Sequence, residues 1–138
     1  MKKLFVDTNI LLDLLARREP FYEEAAELFS LADMKHVHLS VSALSISTVN
    51  YVLSKSMDAK QAKAILRKLR LILNVLATDE KIIDLALNDD TFFDFEDSLQ
   101  FYTALEAGQE LIVTRNLKDF KHAKLPVMTA RQFLQSIA

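Results

Sequence analysis

Three short segments of this chain carry side chains suited to chemistry on a charged substrate. Asp7-Thr8-Asn9 follows the apolar run Leu4-Phe5-Val6. Asp94-Phe95-Glu96-Asp97 lies in the second half, and Thr114-Arg115-Asn116-Leu117-Lys118-Asp119 follows Leu111-Ile112-Val113. A short apolar run that breaks into small polar residues reads as a buried parallel strand. Asp7 and Thr114 then fall at carboxyl ends of strands, the edge where open α/β sheets bind ligands. Carboxylates meeting there would repel, by about 4 kcal/mol for a pair ~4 Å apart at an effective dielectric of 20. A hard divalent cation offsets that repulsion, and carboxylate oxygens with retained water suit Mg²⁺ or Mn²⁺. Each acid also has a plainer role: Asp7 and Asp94 as helix caps, Asp119 as a turn residue. Asp97 is harder to explain so, because a cap already stands three residues earlier.

These residues need a scaffold, and the pattern supplies one. Strands are expected near 3–7, 37–41, 74–77, 111–114 and 126–128. Helices are expected near 9–17, 20–34, 43–55 (capped by Ser42), 59–73 (capped by Asp58), from Thr78 or Asp79 onward, 95–107 (capped by Asp94), and after Thr129. Gly108 is placed to end the helix before the fourth strand in a left-handed conformation. The alternation predicts a three-layer α/β/α sandwich with a mostly parallel sheet. Residues 1–138 are expected to form a single domain.

Composition narrows the function. With 51% hydrophobic and 26% charged residues the chain is ordinary for a globular protein. Its single glycine, Gly108, excludes the glycine-rich phosphate loops of common nucleotide enzymes. The absence of cysteine excludes disulfides and thiolate metal sites and fits the cytoplasm. No signal peptide and no membrane span are expected, since Leu4-Phe5-Val6 is too short for either. A net charge of −2 means that binding a polyanion requires a local basic patch or a bound cation. Lys60, Lys63, Arg67 and Arg70 form one such stripe, with Lys63 and Arg67 at its centre. It reads either as a solvated helix face or as a groove wall for an RNA backbone. His36 and His38 read as a surface pair, and His122 lies in the loop after Asp119.

The three segments resemble the main signatures of PIN domains. The likeness spans nearly the whole chain, including Pro126-Val127-Met128-Thr129, and is nearest to small prokaryotic PIN ribonucleases such as toxins of type II toxin–antitoxin pairs. It implies a Mg²⁺- or Mn²⁺-dependent endoribonuclease acting on single-stranded RNA, with Asp7, Asp97 and Asp119 as metal ligands and Asp94 as an accessory carboxylate. Asn9 and Asn116 would orient them, Thr114 would hydrogen-bond Asp7 or a metal-bound water, and Arg115 would clamp phosphate. An antitoxin partner and a homodimer are also implied, and the apolar segment 44–53 with Phe92-Phe93 is a candidate dimer surface. The sequence departs from the family at Thr48, where a glutamate is usual, and at Asn116, often an aspartate. Both changes lower the negative charge of the site, and they leave open a second reading: a PIN-fold module that binds RNA or protein without cleaving.

Overall fold

The computed structural model describes residues 1–138. The elements run β1 (Lys2–Val6), α1 (Thr8–Leu15), α2 (Tyr22–Asp33), β2 (Val37–Ser42), α3 (Ala43–Leu53), α4 (Ala59–Leu69), β3 (Asn74–Leu76), α5 (Glu80–Leu87) and α6 (Phe95–Glu106). β4 (Leu111–Val113), a 3₁₀ helix (Leu117–Phe120), β5 (Val127–Met128) and α7 (Ala130–Ser136) complete the chain.

Local signals set most of these boundaries. Ser42, Asp58, Asp79, Asp94 and Thr129 each accept a backbone N–H bond from the first turn of the helix they precede. Asp79 rather than Thr78 caps α5, while the Thr78 hydroxyl bonds Thr103 at 2.8 Å. Gly108 adopts φ +68° immediately after α6, as a helix stop requires.

The five strands are all parallel, in the order β3-β2-β1-β4-β5. The chain builds outward from β1 through β2 to β3, then returns to the other side of β1 for β4 and β5. β1 and β4, aligned Val6 opposite Val113, therefore flank the point where strand order reverses. A crevice opens there beyond the carboxyl ends.

Both faces of the sheet are covered, so its central strands are apolar throughout. Leu4, Val6, Leu111 and Val113 pack with α1, α2, α3, α4 and α7 in a cluster of 22 buried residues. Phe5 and Ile112, on the opposite face, pack with Phe92, Phe101, Ala104 and Phe120. Phe92 was expected to belong to a dimer surface. It is instead a core residue, stacked 5.3 Å from Phe101 and edge-on 6.2 Å from Phe120. Val49 and Leu53 of the segment 44–53 are likewise buried, and Tyr51 is exposed.

Phe120 anchors the 3₁₀ helix that carries Asp119, and it is 1% exposed. Phe120→Ala should cost about 3–5 kcal/mol, measured by urea unfolding. A loss under about 1 kcal/mol would show that the 3₁₀ helix is not held by this core.

Candidate active site

Asp7 is fixed from three directions. Its backbone N–H donates to Val113 O at 3.0 Å, carrying the β1–β4 ladder one step past the strands. Its Oδ1 accepts from the Thr8 N–H at 2.8 Å and its Oδ2 from the Thr114 hydroxyl at 2.9 Å. The Thr114 oxygen in turn accepts from the Asn116 N–H at 3.0 Å. Asp7 thus caps α1, and each carboxylate oxygen still has acceptor capacity left over for a further ligand. Burial pushes its pKa up; the bonds from Thr114 and Thr8 oppose this, and the Asp119 charge adds to it. Asn9 lies half-buried in the same first turn.

Asp97 occupies the first turn of α6, half-buried, behind the exposed cap Asp94, whose Oδ1 accepts from the Glu96 N–H at 2.9 Å. Its pKa is pushed up to about 7, chiefly by burial and then by the charges of Asp7, Asp94, Asp119 and Glu96. Asp119 stands exposed on the 3₁₀ helix. Residues from β1, α6 and the segment after β4 are therefore within electrostatic reach of one another. As placed, no three acidic, histidine or cysteine side chains stand close enough to form a ready cage. The donors are hard oxygens, and Mg²⁺ typically takes one or two carboxylates and keeps several waters. The arrangement fits an ion held partly through water.

Arg115 has a partner that the motifs did not reveal. Its Nε donates to Asp13 Oδ2 at 2.8 Å and its Nη2 to Asp13 Oδ1 at 3.0 Å. The Asp13 side chain is 1% exposed, and the guanidinium lies 4.1 Å from the Phe21 ring centroid. This bidentate pair borders, with Asn116, a cavity of about 370 Å³ lined by α1, α2 and α7 residues. Two of the N–H groups expected to clamp phosphate are thus committed to Asp13. The signal for Asp13 was present: three residues past Ile10, it falls on the apolar stripe of α1, where a bare carboxylate requires a partner.

A second buried cluster lies behind Asp7. Thr8 and Ser45 hydroxyls are 2.7 Å apart, and Gln100 Nε2 donates to both, at 3.1 and 2.9 Å. It ties α1, α3 and α6 together. Gln100 sits one turn past Asp97 on the inward stripe of α6, which is the signal that could have found it. Thr48 is half-buried one turn after Ser45. Lys60, Lys63, Arg67 and Arg70 remain on the solvent face of α4, which packs mainly on α3. His36, His38 and His122 are exposed.

Two outcomes follow from this electrostatics. Asp97 holds its proton more tightly folded than unfolded, so between its ordinary value of 3.8 and about 7 the native state binds more protons. Its contribution is therefore favourable below about pH 4 and is lost as pH rises toward 7. In EDTA, wild-type stability minus that of Asp97→Asn should decline over that window, by calorimetry; a difference independent of pH would contradict the assignment. Arg115→Ala leaves Asp13 buried and unpaired, and should destabilise by about 3 kcal/mol in chemical denaturation. A near-neutral result would mean that the pair holds nothing together.

Comparison with known proteins identifies the family and the fold. Residues 3–118 match the PIN domain family. Ribonuclease VapC1 of Aquifex aeolicus is 32% identical over 138 residues, covering 97% of this chain and 94% of the relative. Among solved structures, DNA-bound VapBC from Salmonella typhimurium superposes with a TM-score of 0.69 at 19% identity, over 94% of this chain and 99% of that one. A toxin–antitoxin complex from Klebsiella pneumoniae gives 0.66 at 24% identity, over 92% and 97%. Mycobacterium tuberculosis VapC20, described as a sarcin–ricin loop cleaving toxin, gives 0.66 at 17% identity, over 88% and 95%. These structures share the fold, and with a family match over most of its length, this chain belongs to the PIN-domain family.

Proposed function

We propose that this chain is a metal-dependent endoribonuclease that hydrolyses phosphodiester bonds in single-stranded RNA and serves as the toxin of a toxin–antitoxin pair. The observation that carries the reading is the grouping of Asp7, Asp94, Asp97 and Asp119 at one edge, where burial first and the neighbouring carboxylates second push Asp97 up to about 7. Carboxylates so placed destabilise a bare protein, and a hard cation turns the liability into a site. The similarity to Ribonuclease VapC1 supports RNA as the substrate, and the similarity to toxin–antitoxin complexes supports an antitoxin partner. The cytoplasm is the compartment where RNA and such a partner would be met.

Mg²⁺ or Mn²⁺ held by Asp7, Asp97 and Asp119 would lower the pKa of bound water and offset charge on the scissile phosphate. The protein's part is positioning. Thr114 and the Thr8 N–H hold both oxygens of Asp7 in place. Thr114 also fixes the Asn116 backbone, and Asn116 and Asn9 would orient the ligands. Asp94 adds negative charge at the rim. Arg115, locked against Asp13 and Phe21, contributes a fixed positive charge beside the crevice.

Thr48 favours a second reading, in which the fold binds RNA or protein without cleavage, since a hydroxyl cannot supply a carboxylate's charge. Cleavage of a labelled single-stranded RNA separates the two. Wild-type protein should cleave with Mn²⁺ and stop in EDTA, and Asp97→Asn should lose at least 100-fold in rate, roughly what one charge-stabilising group contributes. Mn²⁺ at a hundredfold excess over its dissociation constant should add about 2.7 kcal/mol of stability. No cleavage and no stabilisation would select the binding module.

A further inference from the structure

Phe93 is the most exposed large apolar residue of the chain, with 106% of its reference surface open. Its neighbour Phe92 is driven into the core against Phe101 and Phe120. Phe92 takes the inward position, and Phe93 beside it faces outward. The loop below it is also held. Asp89 accepts bonds from the Thr91 N–H at 2.9 Å, from the Thr91 hydroxyl, and from the Tyr102 hydroxyl at 2.6 Å. An exposed aromatic on a braced loop is a platform rather than a frayed end.

The same Phe92–Phe120 contact joins this loop to the 3₁₀ helix. Between them lies a recess of about 440 Å³ lined by Thr91, Phe93, Lys118, Asp119, Lys121 and His122. Lys118, in the 3₁₀ helix, and Lys121, directly after it, both line the recess. Both are exposed, and neither forms an ion pair. On a chain of net charge −2, two free ammonium groups beside an acidic site form a local basic patch. An aromatic face with cations tracking past it is the general design for holding single-stranded nucleic acid without sequence preference.

We propose that this recess is a subsite for single-stranded RNA, in which a base next to the scissile bond stacks on Phe93 while Lys118 and Lys121 hold the adjoining phosphates. The subsite rests on the ribonuclease reading for its substrate and shares Asp119 with the catalytic edge. Charge complementarity favours an RNA strand over an apolar protein segment: an apolar helix would bury both lysines without a partner, whereas the strand's phosphates neutralise them, and its bases have a face to stack on Phe93.

Binding of a fluorescein-labelled uridine 12-mer RNA, followed by anisotropy with Mg²⁺ present, tests the subsite in an Asp97→Asn background that preserves the probe. Phe93→Ala should weaken binding about tenfold, and Phe93→Trp should restore it. Replacing Lys118 and Lys121 together by alanine should weaken binding and reduce the slope of log affinity against log salt by about 1.4. In the wild-type background, Phe93→Ala should raise KM about tenfold with kcat within twofold, and its melting temperature should not move. Unchanged RNA affinity in Phe93→Ala would overturn the subsite, and a shift in oligomeric state alone would assign the face to a protein contact instead. Those results leave the nuclease reading standing. It fails separately, if the wild-type protein binds RNA but does not cleave it with Mn²⁺.

Discussion

Carboxylates brought together and partly buried at one sheet edge are the constraint on which this site depends. The sheet forces the meeting: Asp7 leaves β1 and Thr114 leaves β4 side by side, because Val6 pairs with Val113. α6 brings Asp97 and Asp94 to the same edge, and a 3₁₀ helix brings Asp119. Burial raises the pKa of both Asp7 and Asp97, and the neighbouring carboxylates add to it, Asp119 at Asp7 and Asp7, Asp94, Asp119 and Glu96 at Asp97. Other features read as responses to it. Thr114 and the Thr8 N–H stabilise one carboxylate, the Asp13–Arg115 pair sets a fixed cation nearby, and Gln100 binds together the helices that carry the acids.

Two kinds of packing hold the acids in place. The larger core locks β1 and β4 against α1, α2, α3 and α7, so the strand ends cannot drift apart. The smaller aromatic core, Phe5, Phe92, Phe101 and Phe120, fixes α6 relative to the 3₁₀ helix. The first sets Asp7 and Thr114, and the second sets Asp97 against Asp119. A site assembled from distant segments needs such rigidity, because a displacement near 1 Å can cost about a hundredfold in rate.

Much of this was legible from local pattern. Caps at Ser42, Asp58, Asp94 and Thr129 and the stop at Gly108 are short-range chemistry, and all appear where their residue types placed them. The three-layer architecture followed from the alternation of apolar runs and amphipathic stripes. What resisted reading was long-range. Arg115 and Asp13 are separated by 102 positions, and only the return of the chain beside β1 makes them partners. Phe92 and Phe93 are identical in type, so their opposite fates depend on which one meets Phe101 and Phe120. The 3₁₀ helix at Leu117–Phe120 leaves no local signature, because no side chain caps it and the buried Phe120 holds it. The likeness to PIN domains supplied roles for Asp7, Asp97 and Asp119 that spacing alone left divided between capping and metal binding.

The central claim is that these side chains sense one another's charge. Carbon-13 NMR titration of the aspartate carboxyl groups in EDTA measures this residue by residue. Asp97 should titrate near 7, and its midpoint should fall when Asp119 is replaced by asparagine. A midpoint in the ordinary carboxylate range, about 4, that ignores Asp119 would show that the acids do not share a site.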